Sequence, residues 1–156
     1  MSVVDSPYKF HVRLSAAQLV PPLELNNSAT VYLKFHKDFE YLYYDVHIKN
    51  ADNVTQVQLR QGGANDQVST SGALLAYLVR NGTTGTTSAP LAEAVNGFRG
   101  HHCGKIRAAD LETGTGLPVT IAALFELAKT DQLQVVVFTS NNSVEGELRG
   151  QVFWLH

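Results

Sequence analysis

Residues 8–14 read YKFHVRL, and residues 29–36 read ATVYLKFH. In both stretches apolar and polar side chains alternate, so that every second residue belongs to the same face of an extended chain. The apolar members are Tyr8, Phe10, Val12, Leu14, Val31, Leu33 and Phe35. A period of two is typical of antiparallel strands that have one buried face. These stretches therefore predict an all-β fold, with Phe10 and Leu33 in its core.

Six further stretches predict strands. They cover residues 39–48, 54–60, 73–79, 103–107, 132–139 and 147–154, with Val136 expected in the core. Residues 118–129 differ because their apolar side chains recur at helical spacing, and residues 82–100 form the longest irregular segment. The prediction is a single antiparallel β-sandwich or barrel of about seven or eight strands, with a short helical insertion near 118–129.

Length and composition limit the classes of protein that remain. A chain of 156 residues fits a single domain spanning 1–156, with residues 1–7 expected as a flexible N-terminal tail. The net charge of −2 argues against nucleic-acid binding, which requires a basic surplus. No apolar run approaches the roughly 18 residues of a membrane span. Cys103 is the only cysteine, which excludes an intrachain disulfide.

The compartment stays open at this stage. The N-terminal residues lack the features of a secretory signal, so the chain is cytoplasmic if it is complete and secreted if it is a mature fragment. A lone thiol favours a reducing compartment, whereas glycosylation sequons at Asn26, Asn53, Asn81 and Asn141 favour the secretory route. A homodimer is equally left open.

Four stretches, in order along the chain, resemble motifs of chordin-type (CHRD) domains. They are FHVRLSAAQLVPP at 10–22, NADNVTQVQLRQGG at 50–63, GKIRAADL at 104–111 and EGELRGQV at 145–152. The last is similar to the closing Gly-Glu-Ile-Arg-Gly-Gln strand of that family. The resemblance implies a β-sandwich or barrel and an association with extracellular binding rather than with an established chemistry.

The chain departs from the family where the family often carries histidines. Alignment on the motifs places Gln58 and Arg60 at two of these positions and Thr139 near the third. If the family histidines hold a metal, this chain lacks that site, so we predict no metal and no cofactor. Alternation places Gln58 and Arg60 on one strand face, opposite Val57 and Leu59.

These replacements suggest a different kind of site. A guanidinium beside an amide suits a carboxylate or carbonyl group of a ligand. We therefore predict ligand binding by Gln58, Arg60 and Thr139. Tyr41 and Tyr43 share one face of their strand and add aromatic surface that suits a ring. The competing interpretation is that Arg60 forms an ion pair with a nearby glutamate at 145 or 147.

The run His101-His102-Cys103 is the remaining candidate for chemistry. Adjacent histidines on an extended chain point to opposite sides, so a metal site would need a histidine from elsewhere. The sequence leaves open whether His101 or His102 lies close to His11, His36 or His47 in the folded chain. The alternative is a buried Cys103 at a strand start, preceded by two loop histidines.

Two functions follow from these candidates. The favoured one is a non-catalytic domain, not an enzyme, that binds a small molecule or an extracellular protein partner. The alternative is a cofactor-free isomerase or cyclase acting on a small apolar, carbonyl-bearing substrate in the barrel interior. Its catalytic candidates are Arg60, His101 and His102, which would polarise a carbonyl and move a proton.

Overall fold

The computed structural model describes residues 8–18, 28–49, 54–62, 73–80, 83–84, 100–114, 116–139 and 148–154. The strands are β1 (Lys9–Ser15), β2 (Ser28–Phe35), β3 (Leu42–Lys49), β4 (Val54–Gln61), β5 (Leu74–Arg80), β6 (Thr83–Thr84), β7 (Gly100–Ile106), β8 (Leu133–Thr139), β9 (Leu148–Gln151) and β10 (Phe153–Trp154). Helix α1 spans Ile121–Lys129, and short 3-10 turns cover Ala16–Gln18 and Ala108–Asp110.

The strands form one antiparallel sheet in the order β6-β5-β4-β8-β9-β1-β2-β3-β7, with β10 also paired to β1. The sheet curls, because strands that are distant in this order contact each other. The Tyr44 hydroxyl of β3 donates to the Leu78 carbonyl of β5 at 3.0 Å. The Glu112 amide, beyond the end of β7, donates to the Leu75 carbonyl of β5 at 2.8 Å. The all-β, nearly closed barrel predicted from the alternation is confirmed.

Helix α1 packs on the barrel core through its apolar face. The helix begins at Ile121 rather than at 118, because the Thr120 side chain accepts a hydrogen bond from the Ala123 amide at 3.1 Å and caps it. Phe125 lies among four aromatic rings of the barrel, at centroid distances of 4.8–6.0 Å, which belong to Tyr8, Phe10, Phe35 and Phe39. In the ranges given above, no helix combines the length and apolar character needed to cross a membrane.

Most predicted elements match the structure, and several details differ. Strand β7 begins at Gly100 rather than at 103, so His101 and His102 belong to the strand and not to a loop. The stretch predicted as one strand over 147–154 is two strands separated at Val152, whose amide donates to the Leu133 carbonyl at 2.9 Å. Thr83–Thr84 pairs with β5, although it belongs to the segment predicted to be irregular. The rest of that segment up to residue 99, and the predicted N-terminal tail, lie outside the described residues.

Strand β8 is buried along both of its faces. Phe10 and Leu33 pack in the main core, as predicted. Val136 is fully buried, as expected of a core position, but it does not belong to the main cluster. The main core takes Val135 and Val137, so alternation directs Val136 to the other face, where it forms a second cluster with Phe138.

Tyr44 links two sides of the barrel and yields a test of the fold. Its ring is 2% exposed, and burial, followed by the charges of Cys103 and Asp110, raises the pKa of its phenol. Replacing Tyr44 by phenylalanine should lower the free energy of unfolding at pH 7 by about 1–2 kcal/mol, because the Leu78 carbonyl loses this donor.

The raised pKa also fixes a pH dependence. The folded state holds the phenol proton more tightly than the unfolded chain, so this stabilisation is complete below the ordinary tyrosine pKa of about 10 and is lost as the pH rises above it. Urea unfolding at pH 7 to 11 should show a shallower alkaline loss in Tyr44→Phe than in the wild type. Equal slopes in the two proteins would contradict the buried hydrogen bond.

Candidate functional site

The predicted site residues lie in two separate regions of the barrel wall, and Gln58, Thr139 and Tyr41 among them are buried. Gln58 and Arg60 belong to β4, whereas Tyr43 belongs to β3 and His101 to β7. Strands β8, β9, β1 and β2 separate β4 from β3 in the sheet order. The structure therefore does not bring the tyrosines next to Arg60, and each region is described by itself.

The first region is a row of polar side chains on the outer face of β4, β8 and β9, here called the amide stripe: Gln56, Gln58, Arg60, Gln134 and Gln151. The register pairs Arg60 with Gln134, and Gln134 with Gln151, across neighbouring strands. The Arg60 Nη1 donates to the Gln58 Oε1 at 2.8 Å, and the Gln58 amide donates in turn to the Gln56 carbonyl oxygen. The shared face of Gln58 and Arg60 is thus as predicted.

Burial within the amide stripe is unusual for amides. Gln134 is 0% exposed, and the described part of the chain offers no hydrogen-bond partner to either its nitrogen or its oxygen. Gln151, in contrast, donates to the carbonyls of Asp131 at 2.8 Å and Leu133 at 2.9 Å. A buried polar group without a partner costs about 1–3 kcal/mol, so Gln134 holds unused hydrogen-bonding capacity beside the Arg60 guanidinium.

Thr139 is buried at the end of β8 and is separated from the amide stripe. Alternation along β8 places it on the face opposite Val136 and Phe138, whereas Gln58 pairs with Val136 on the outer face. The glutamates considered as ion-pair partners of Arg60, at positions 145 and 147, lie outside the described residues. Ligand binding by Thr139 stays a prediction, without a contact to Gln58 or Arg60 in its support.

Tyr41 and Tyr43 contribute differently to the second region. Tyr41 is 8% exposed, and the Lys105 ammonium lies 4.2 Å from its ring centroid, an arrangement that stabilises the cation against the aromatic face. Burial, followed by a hydrogen bond with Cys103 and the charge of Asp45, raises the pKa of Tyr43 to about 12. The Tyr43 phenol therefore stays neutral at physiological pH and can act as a hydrogen-bond donor.

Next to Tyr43 lies a group that we call the histidine face: Asp45 and His47 of β3 with His101 of β7. His47 and His101 occupy opposite positions of the register, and their rings stack with centroids 4.5 Å apart. The His47 Nε2 lies 3.2 Å from the Asp45 Oδ1, and the His101 Nε2 contacts the same oxygen. One oxygen and two ring nitrogens lie within 4.8 Å of one another and could hold a metal ion.

The histidine face was only half visible in the sequence. His47 was one of three partners left open for the His101–His102 pair, but Asp45 was not among the candidates. Its signal was its place two residues before His47 on an alternating strand. The backbone of His102 pairs with Val46, and its side chain lies outside what the structure describes.

A shallow cleft of about 500 Å³ adjoins the histidine face on the outer side of β1 and β2. His11, Arg13, Thr30 and Tyr32 are among its lining residues. The Tyr32 ring stacks on His11 at 4.6 Å and meets the edge of His47 at 6.3 Å. The cleft and the histidine face thus form one continuous surface across four strands.

Two of the groups that the isomerase or cyclase alternative requires, Arg60 and His101, do not line the barrel interior in the part of the chain that the structure describes. In the described ranges the interior is packed with aliphatic and aromatic side chains. Gln58 and Arg60 lie on the outer face with Val136, and His101 contacts Asp45 on the outer face of β3. Arg60 and His101 are therefore directed away from the place where the substrate of that reaction would lie, whereas the side chain of His102, the third candidate, lies outside what the structure describes.

Comparison with known proteins gives a single finding. The family model of the CHRD domain matches residues 10–152, which is nearly the whole chain. No curated protein and no solved structure matches the chain.

Proposed function

The chain belongs to the CHRD domain family, and on that basis we propose that it is a non-catalytic binding domain. The proposed site is the amide stripe, and the group it recognises is a carbonyl or carboxylate of a small molecule or of an extracellular protein partner. The observation that carries the proposal is the fully buried Gln134, whose amide makes no hydrogen bond with the described residues.

The chemistry of the stripe suits such a group. Gln134 offers a donor and an acceptor, which together match a peptide group or a carboxylic acid. Arg60 lies opposite Gln134 on the neighbouring strand. Its guanidinium is positively charged and has several N–H donors in one plane, which favours a carboxylate. Arg60 is only partly buried, so the amide stripe is accessible to solvent at this residue.

A stability comparison tests whether Gln134 serves the ligand or the fold. Replacing Gln134 by leucine should leave the free energy of unfolding unchanged or raise it by about 1 kcal/mol, because a buried amide without partners is removed. The matched control is Gln151→Leu, which should lower it by about 1–3 kcal/mol, since two backbone carbonyls lose their donor. Urea unfolding of the two variants and the wild type measures both effects.

Binding is tested with a panel of N-acetylated amino acids and short peptides, each with either a C-terminal amide or a free C-terminal carboxylate. Ligands that raise the melting temperature of the wild type should lose affinity by about tenfold or more in Gln134→Leu and in Arg60→Met. A melting temperature that falls strongly in Arg60→Met without ligand indicates an ion pair instead. Unchanged affinity in both variants would exclude the amide stripe as the site.

A further inference from the structure

We propose that Asp45, His47 and His101 bind one divalent transition-metal ion on the outer face of β3 and β7. The site is distinct from the amide stripe, and it departs from the prediction of no metal, which rested on positions 58, 60 and 139. Two imidazole nitrogens with one carboxylate oxygen form a donor set that suits Zn²⁺ and Cu²⁺.

The fold places the three donors by strand geometry alone. Asp45 and His47 are two residues apart on β3 and therefore share its outer face. His101 lies directly opposite His47 on the neighbouring strand β7. Because β3 and β7 pair along seven consecutive positions from Leu42↔Ile106 to Ile48↔Gly100, the backbone positions of all three donors are fixed before any metal arrives.

The contacts differ from those of an ordinary ion pair. Both Nε2 atoms approach the same Asp45 oxygen, yet neither contact has hydrogen-bond geometry, and that oxygen is almost completely removed from solvent. The two imidazole rings are nearly parallel, at 12°, and their stacking keeps both rings on the same side of Asp45. Two ring nitrogens and one carboxylate oxygen that converge within 4.8 Å of one another are the arrangement that a metal ion requires.

The surroundings leave part of the coordination shell accessible. The His47 and His101 side chains are 47% and 53% exposed, against 23% for Asp45. The Tyr32 ring packs against the edge of His47 and limits its rotation. Three protein donors leave a fourth position for water or for a group of a partner, as is usual at open zinc sites.

Metal binding by the full chain, freed of metal with a chelator, is the direct test. Calorimetric titration with Zn²⁺ alone should show about one ion per chain, as for a single site of this donor set. His101→Ala and Asp45→Asn should each weaken Zn²⁺ binding by about tenfold or more. This is roughly the loss of affinity that follows the removal of a metal ligand or of a residue that orients one. The matched control is His11→Ala, on the same outer surface but two strands away, which should bind as the wild type does.

Two further measurements keep the outcome decisive. The histidine ring signals of His47 and His101 in the NMR spectrum should shift on Zn²⁺ addition, while those of His36 should not, which reports the ligands without any mutation. Cys103→Ser should retain the affinity, because the thiol is not one of the three converging donors. Two results would overturn the proposal. One is the absence of binding at about 100 µM free Zn²⁺, a concentration far above the dissociation constant of a specific site. The other is equal affinity in the wild type and all variants.

Discussion

Replacing Phe125 by alanine should lower the free energy of unfolding by about 3–5 kcal/mol. The ring is 5% exposed and packs against four barrel aromatics, so truncation removes apolar burial and leaves a cavity where the helix meets the barrel. Alanine has the highest helix propensity, so the loss reports packing rather than helix formation. Urea or thermal unfolding followed by circular dichroism measures it.

The matched control is Glu126→Ala, the next residue of the same helix. Its side chain is 63% exposed and, among the residues that the structure describes, forms an ion pair with Lys129 at 3.0 Å within the helix. An exposed pair at this spacing contributes about 0.3–0.5 kcal/mol, so the control should stay within that range. A Phe125→Ala loss no larger than that of the control would mean that α1 does not pack on the barrel as described.

Strands β1 and β2 could be predicted from sequence because each has one buried face. In β1 and β2 polar and apolar positions alternate without interruption, so one pattern fixes both the strand and its orientation. The apolar run over 135–138 carries no such information, because β8 is buried on both sides. This is why the sequence predicted that Val136 is buried but did not show which of the two clusters it joins.

The candidate sites depend on pairings between strands that are distant in sequence. Alternation correctly placed Gln58 and Arg60 on one face, but the neighbour Gln134 comes from β8, more than 70 residues later. In the same way, the position of His101 opposite His47 depends on the β3–β7 register. A single sequence contains the residues of both sites but not the non-local register that brings them together.

Replacing Gly150 by alanine should lower the free energy of unfolding by about 3 kcal/mol, the upper part of the range for overpacked sites. A Cβ at this position would meet the Arg13 carbonyl oxygen at 2.5 Å and a Val12 methyl at 2.7 Å. The first is a backbone atom of β1, so it can give way only if the two strands separate. Glycine is therefore required by close strand approach in the Arg-Gly-Gln sequence at 149–151.

Gly114→Ala is the matched control, because the nearest atom to its new Cβ is the end of the flexible Leu117 side chain, at 3.1 Å. It should cost less than about 1 kcal/mol. Gly150→Ala should in addition weaken ligand binding at the amide stripe, since β9 carries Gln151 next to Gln134. If Gly150→Ala were as stable as the control, β9 and β1 would have to lie further apart in solution than described. The burial of Arg149 and Gln151, the neighbours of Gly150 on β9, would then no longer be expected.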